Sequence, residues 1–453
     1  MTKQMKSLLI QPEESRTKYN FEGIIENECL DLEYVSALLK ELGHEVKMFD
    51  CQVEKATANS FIRKEKADVV YITGRVFQEN FMLEYAQTAK ETREDTVTII
   101  GGIHAQLCAD RMFKDYVDYI LTSFDVYNVQ KIIEESEDID SLPGVCIRKS
   151  DGFKVNPAVP FDINRLPRPD RTYFYEHPNN YGYLEMSHAA WVRTAFCCPY
   201  RCKFCIRNRM NNGKYSARDI DDVVAEIKDI ESDNIYIVDD DFLFDEERLD
   251  RFVSLVKENH IEKKYICYGR SDFIASHEDT MAKLKEIGFY YILVGLEAID
   301  DNCLKDYNKR SSIDNNIKSI EICNRLGLNI MGMFILDLDF VPADFKKLYK
   351  WIKAHEIKHV AVSIFTPEIG METYDEYKDR IITDNPSHFD YLHLVASPGR
   401  ISVKKYYMCY YILLIKLFLK AKKDGIYDFL DYGYYIKSFI GNMFKKKREN
   451  DDE

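Results

Sequence analysis

The first third of the chain alternates short apolar runs with stretches in which apolar residues recur every three or four positions. Ser7–Ile10, Val46–Phe49, Asp68–Ile72, Val97–Ile100 and Tyr119–Leu121 read as buried strands. Between them, Asp31–Leu42 carries Leu32, Val35, Leu38, Leu39 and Leu42 at helical spacing and stops at Gly43. Phe61–Glu65 and Phe81–Lys90 read as further helices. Strands separated by such helices predict a doubly wound parallel sheet, whose ligands lie beyond the carboxyl ends of its strands.

The alternation resumes later. Val192–Phe196, Ile235–Val238, Tyr265–Tyr268, Tyr291–Val294, Ile330–Leu336 and Val360–Ile364 read as strands. Ile220–Ile230, Glu247–Asn259, Thr280–Ile287, Asn316–Leu326 and Phe345–His355 read as the helices between them. This pattern fits a partial barrel of TIM type with about six β/α units, and such barrels collect their chemistry at the carboxyl ends of the strands. Polar residues stand there: Asp239-Asp240-Asp241, Arg270-Ser271, Glu297 and Asp337. The fold class is therefore α/β, a Rossmann-like sheet followed by a partial barrel and a helical C-terminus.

Pro157, Pro160, Pro167, Pro169 and Pro178 mark a surface linker between the two regions. After Asn385 the barrel pattern ends. Lys404–Lys422 is densely apolar and aromatic, but its uninterrupted apolar core between Lys405 and Lys416 is only ten residues, too short to span a bilayer. It reads as a helix that closes the barrel or lies at an interface. Tyr427–Phe444 is again aromatic and leads into Lys445-Lys446-Lys447-Arg448, a weak membrane-surface signal diluted by Asp451-Asp452-Glu453. The expected division is residues 1–145, a linker over 146–184, the barrel over 185–385 and a helical region over 386–453.

Composition narrows the class. The 453 residues are 46% hydrophobic and 30% charged, which describes a folded rather than a disordered chain. A net charge of −14 argues against nucleic acid as a partner. No leader pattern and no long apolar span are visible, and most of the 12 cysteines are scattered singly as in a reduced, cytoplasmic protein.

Four cysteines are not scattered. Cys197, Cys198, Cys202 and Cys205 cluster around Pro199, Tyr200 and Phe204. Clustering in a reduced protein points to metal. A structural zinc site usually uses two tight pairs, and no second pair lies downstream. A dithiol redox site would account for Cys202 and Cys205 but not Cys198. Three thiolates, Cys198, Cys202 and Cys205, suit three corners of a 4Fe–4S cluster and leave the fourth iron open. Cys197 is a bystander. In the first region, Thr73-Gly74 and Gly101-Gly102-Ile103-His104 follow strands, where small residues admit a bulky ligand. There is no G-x-G-x-x-G, so a pyridine dinucleotide is disfavoured.

The Cys198–Cys205 spacing, with Phe204 before the last cysteine, resembles the signature of the radical S-adenosylmethionine enzymes. A Rossmann-like domain before it resembles the cobalamin-binding branch of that family. The resemblance implies a 4Fe–4S cluster, S-adenosylmethionine and cobalamin as cofactors. It implies that Phe204, Asp239, Asp240, Asp241, Arg270, Ser271 and Glu297 contact S-adenosylmethionine, and that Thr73, Gly74, Gly101, Gly102 and His104 contact cobalamin. The loop after the first strand, Gln11-Pro12-Glu13-Glu14-Ser15, lacks the histidine that other cobalamin domains place on cobalt, which implies a base-off cofactor. Leu336-Asp337-Leu338-Asp339 stands where the family often has a glycine-proline turn. The activity implied is C-methylation of an unactivated carbon through a 5′-deoxyadenosyl radical and methylcobalamin. The alternatives are a cobalamin-containing radical cyclase, rearrangement or carbon–carbon coupling enzyme, and a non-catalytic iron–sulfur scaffold or sensor. Implied partners are a small-molecule or lipid substrate and an electron donor such as flavodoxin or ferredoxin.

Overall fold

The computed structural model describes residues 4–14, 25–136 and 138–429. Its first sheet contains five parallel strands, β1 (Lys6–Gln11), β2 (Glu45–Asp50), β3 (Val69–Thr73), β4 (Val97–Gly101) and β5 (Tyr119–Leu121), in the order β2-β1-β3-β4-β5. The helices Leu30–Glu41 and Tyr127–Ile133 cover one face, packing Leu32, Val35, Leu39 and Val129 on Leu9, Tyr71 and Ile99. Asn59–Glu65 and Glu79–Thr92 cover the other, packing Ile62, Phe81 and Tyr85 on Leu8, Ile10 and Val70. Burial on both faces is why the central strands β1, β3 and β4 are nearly continuous apolar runs, whereas the edge strand β2 alternates.

Two antiparallel strands, β6 (Val145–Lys149) and β7 (Gly152–Val155), extend this sheet beyond β5. The sheet thus continues into the segment expected to be linker. Arg148, Lys149 and Lys154 of this hairpin point to solvent, so its apolar pattern is too thin to register in the sequence.

The second sheet is all parallel. It comprises β8 (Ala189–Val192), β11 (Asn234–Ile237), β12 (Lys264–Arg270), β13 (Phe289–Glu297), β14 (Asn329–Leu336) and β15 (His359–Ile364), paired in that order. Helices Ile220–Asp229, Glu246–Glu258, Glu278–Glu286, Ile313–Leu326 and Pro342–Ala354 alternate with these strands, giving the expected partial barrel. Side chains alternate across each strand. Ile235 and Ile237 pack outward toward the helices, whereas Tyr236 turns inward with Tyr183, Ile266, Tyr291, Leu293 and Met331. The expected first strand, Val192–Phe196, is two pieces. The chain leaves the sheet after Val192, and β9 (Ala195–Phe196) pairs with β10 (Ser216–Ala217) instead, folding the cysteine loop between them.

Buried ion pairs join the two regions. Arg171 of the linker donates to Glu28 at 3.1 Å, to Glu226 of the first barrel helix at 2.9 Å and to the Trp191 carbonyl at 2.6 Å. The other Glu28 oxygen accepts the Trp191 N–H. At the far side, Cys108 donates its thiol hydrogen to the Ile369 carbonyl at 3.3 Å. The C-terminal helix, Val403–Lys423, buries Tyr406, Tyr410, Leu413 and Leu417. Tyr406 donates to the Asp337 carbonyl at the end of β14, and Lys420 donates to the Ile357 carbonyl just before β15, so the helix runs from the barrel mouth to its base. No described helix is long and apolar enough to cross a membrane. The aromatic stretch expected over Tyr427–Phe444 passes beyond the described residues, and Lys445–Arg448 lies outside them.

Candidate active site

The chain enters the cysteine loop through Cys197, whose φ of 66° is left-handed, a conformation few non-glycine residues adopt. Its thiol is buried and pushed up to about 11 by that burial, in keeping with a structural role. Asn208 fixes the loop, donating to the carbonyls of Cys202 at 3.1 Å and Cys205 at 3.0 Å. The Lys203 N–H donates to the Tyr307 carbonyl at 3.0 Å. Burial raises the thiols of Cys198, Cys202 and Cys205, the last to about 12, and the charge of Cys205 acts on Cys198 while that of Cys202 acts on Cys205. The three thiols therefore share one neighbourhood, in which bound cationic metal would favour their thiolates, as the charges of Lys309 and Arg270 already do at Cys202. Among the described residues no three Cys, His, Asp or Glu side chains converge as ligands of a single ion. A 4Fe–4S cluster makes a different demand, because each cysteine takes its own iron.

Strand ends surround this loop. Asp239 is buried, and it accepts from the backbone N–H groups of Thr194 and Ala195 at 2.6 and 2.9 Å and from the Thr194 hydroxyl. These bonds brace the break between β8 and β9, so Asp239 positions the cysteine loop and has no oxygen turned to a ligand. Asp240 pairs with Arg207 at 3.4 Å. Asp241 differs from both. It is 5% exposed, and neither carboxylate oxygen has a hydrogen-bond partner. Burial pushes it up to about 8, against the pull of Arg270 and Lys309. An unpaired buried carboxylate is costly unless a ligand completes it. A cationic donor such as the ammonium of an amino acid fits.

Arg270 ends β12 and is already engaged. It forms a fork with Asp272 at 3.0 Å on both oxygens, donates to the Lys309 carbonyl at 2.6 Å, approaches the Cys202 sulfur at 3.9 Å and lies 3.7 Å from the Tyr200 ring centroid. This arrangement supports the cluster loop more directly than a carboxylate ligand. Ser271 is fully buried, with its hydroxyl 3.1 Å from that of Ser311. Glu297, at a left-handed φ of 60°, pairs with Lys309 at 2.8 Å. Phe204 is half-buried edge-on against Tyr307.

The carboxyl ends of β3, β4 and β5 open on a narrow cleft, about 30 Å³ in volume, that is shared with the barrel. Thr73, Gly102, Ser123 and Asp125 line one side, and Arg193 and Phe196, just before the cysteine loop, line the other. Phe124 stacks on Phe196 with ring centroids 3.9 Å apart. Of the expected cobalamin contacts, Thr73 and Gly102 border this cleft. The others do not. A side chain at Gly102, φ +91°, would meet the Thr73 hydroxyl at 2.5 Å and the Gly74 nitrogen at 2.6 Å, so the glycine lets two strand ends touch. Gly101 lies against the Tyr71 hydroxyl and Gly74 against the Met82 sulfur. His104 is 2% exposed and its Nε2 is bound 2.6 Å from Glu79, which Arg111 also holds. Its ring is locked inside the N-terminal domain, correcting the expectation that it faces cobalamin.

Residues 28–124 match the model of the B12 binding domain and residues 192–352 that of the radical SAM superfamily. The chain belongs to the cobalamin-binding radical S-adenosylmethionine enzymes. It is 25% identical over 399 residues to the hopanoid C-3 methylase of Methylococcus capsulatus, covering 84% of this chain and 74% of that protein. It is 26% identical over 362 residues to the bacteriochlorophyllide d C-8(2)-methyltransferase of Chlorobaculum tepidum, covering 74% of each. Among solved structures, the radical S-adenosylmethionine methyltransferase TsrM of Kitasatospora setae, with cobalamin and a [4Fe-4S] cluster bound, superposes with a TM-score of 0.68 at 13% identity, over 92% of this chain and 89% of that one. The cobalamin-dependent radical enzyme OxsB superposes at 0.66 and 18% identity, over 83% of this chain and 55% of that one.

Three site residues of this radical S-adenosylmethionine enzyme escape a motif reading. Lys309 is buried beside Glu297 and feels the charge of Cys202. Glu368, after β15, is 3% exposed, and its Oε1 has no partner. Burial pushes it up to about 7, opposed by a hydrogen bond with Tyr391 and by Arg207. Arg207 follows the last cysteine, and 36% of its side-chain surface stays open. Lys309 and Glu368 lie in loops beyond the strand ends, and only the rule that barrel chemistry gathers there could have flagged them.

Proposed function

We propose that this enzyme methylates an unactivated carbon of an apolar small molecule, with cobalamin held between the two sheets. The observation that carries this reading is the pairing of a cysteine loop with an unpartnered Asp241 at the mouth of a barrel whose Arg193 and Phe196, just after its first strand, also border the cobalamin-domain cleft. When bound, the cluster and S-adenosylmethionine supply hydrogen-atom abstraction and cobalamin supplies methyl transfer.

The chain's own residues do the rest. Cys198, Cys202 and Cys205 hold the cluster, and Asn208 and Arg270 keep their loop in place. Asp241 accepts the ammonium group of S-adenosylmethionine, replacing a hydrogen bond that nothing in the protein makes. Phe204 presents the loop edge to its adenine, and Lys309 and Glu297 stay paired so that neither charge competes for the ligand. Trp191, Val238, Tyr268 and Met333 are half-buried above the apolar packing of Tyr236, Ile266 and Leu293. They offer an apolar wall to the substrate and exclude water from a reactive radical. The relationship to a hopanoid C-3 methylase supports a lipid-like substrate. A flavodoxin or ferredoxin provides the electron.

The test is a reaction of the reconstituted enzyme with methyl-labelled S-adenosylmethionine, a reductant and an apolar cell extract. Label should enter the extract while S-adenosylhomocysteine and 5′-deoxyadenosine accumulate in step, and Cys202→Ala should abolish both. Formation of 5′-deoxyadenosine with no S-adenosylhomocysteine would move the assignment to cyclisation or rearrangement.

A further inference from the structure

The C-terminal helix Val403–Lys423 has two apolar faces, and the barrel uses only one. Tyr406, Cys409, Tyr410, Leu413, Leu417 and Ala421 are buried. On the opposite side Met408, Ile412, Ile415 and Leu419 are 44, 45, 59 and 58% exposed. At about 100° per residue these four occupy about 60° of arc, centred nearly opposite the buried stripe. Closing a barrel requires one apolar stripe. The second needs a different partner.

Charge identifies that partner. The chain carries −14 overall, yet Val403–Lys423 contains six lysines and no acidic residue. By the same helical geometry Lys404 and Lys422 border one side of the exposed stripe, and Lys405, Lys416 and Lys423 border the other. Lys420 is turned inward to the Ile357 carbonyl and Asp424. A second copy packed through this stripe would bring lysine borders together with no acid in the helix to neutralise them. An anionic lipid surface would take the apolar side chains between its headgroups while the lysine stems reached outward to phosphate.

We propose that this face docks the enzyme on an anionic bilayer surface, with the helix lying in the interfacial plane. Because Tyr406 ties the first turn to the Asp337 carbonyl at the end of β14, docking brings the rim of the barrel mouth to the lipid boundary. The inference does not depend on the methylation reading, and its test measures binding rather than turnover.

The full-length protein should float with phosphatidylcholine vesicles that contain phosphatidylglycerol, but not with phosphatidylcholine alone, and added salt should weaken the association. Ile412→Glu/Ile415→Glu should reduce flotation at least tenfold while leaving the thermal melt unchanged. Ile415→Trp is a second probe, and its emission should shift to the blue when the anionic vesicles are added. Three results would overturn the proposal. One is absence of both flotation and the blue shift. Another is flotation that survives Ile412→Glu/Ile415→Glu but is lost on neutralising Lys445–Lys447. The third is a dimer that dissociates on Ile412→Glu/Ile415→Glu, which would give the face to a second copy.

Discussion

Arg270 directs its Nη1 at the sulfur of Cys202, 3.9 Å away, while its other nitrogens are held by Asp272 and the Lys309 carbonyl. A fixed guanidinium thus sits beside one corner of the cysteine loop in a buried setting. Positive charge and hydrogen bonds to cluster sulfurs raise the reduction potential, because the reduced cluster is the more negative form. Arg270→Gln should therefore shift the cluster midpoint to more negative values, as read by redox titration with electron paramagnetic resonance. An unchanged midpoint would assign Arg270 to loop geometry alone.

Asp241→Asn removes the carboxylate that has no partner in the protein. A charge-assisted hydrogen bond contributes about 1.5–3 kcal/mol, so affinity for S-adenosylmethionine should fall roughly 10- to 100-fold. Iron and sulfide content should stay the same. Equilibrium binding to the reconstituted enzyme checks this, and Asp239→Asn provides the contrast. Asp239 braces the β8–β9 break, so its loss should lower cluster retention instead.

Glu368 gives a pH signature. Its folded value of about 7 lies above the ordinary 4.5, so between those values the folded protein keeps a proton that the unfolded chain releases. Stability then falls as pH rises through that window, by on the order of 3 kcal/mol once pH exceeds 7. Glu368→Gln should flatten the decline in Tm between pH 5 and 8. Asp241, raised to about 8, acts with the same sign, so part of the slope should persist.

The Arg171 clasp predicts a large stability effect far from any cofactor. Arg171→Met leaves Glu28 and Glu226 buried with fewer partners, and breaking a buried pair in this way costs about 3–5 kcal/mol. Chemical denaturation should register the loss, and restoring charge with Lys should recover only part of it, because lysine cannot reproduce contacts to both carboxylates and the Trp191 carbonyl.

Both sheets were legible from residue pattern alone because their strands are buried and punctuated by polar turns. The β6–β7 hairpin was not, since its exposed lysines and arginine mask the alternation. The cysteine triplet stood out equally, because its clustering sets it apart from the scattered cysteines. The cobalamin contacts were harder to read. Gly74, Gly101 and His104 follow strands, as ligand contacts do, but strand-end glycines also serve strand-to-strand packing, and nothing in a linear sequence says that His104 faces Glu79. Asp239 and Asp241 look alike in sequence, and only the break after Val192 separates the brace from the open carboxylate. Glu368 and Lys309 were missed because neither belongs to a motif.

In the proposed enzyme, cobalamin faces a cysteine-held cluster between the two sheets, with no histidine on cobalt. The most direct test is the cobalt electron paramagnetic resonance spectrum of enzyme purified anaerobically from cobalamin-fed cells. Cobalamin should be stoichiometric, and its Co(II) spectrum should carry no nitrogen splitting from an axial base, because His104 is held by Glu79. An empty N-terminal domain, or nitrogen splitting that disappears in His104→Ala, would contradict this arrangement.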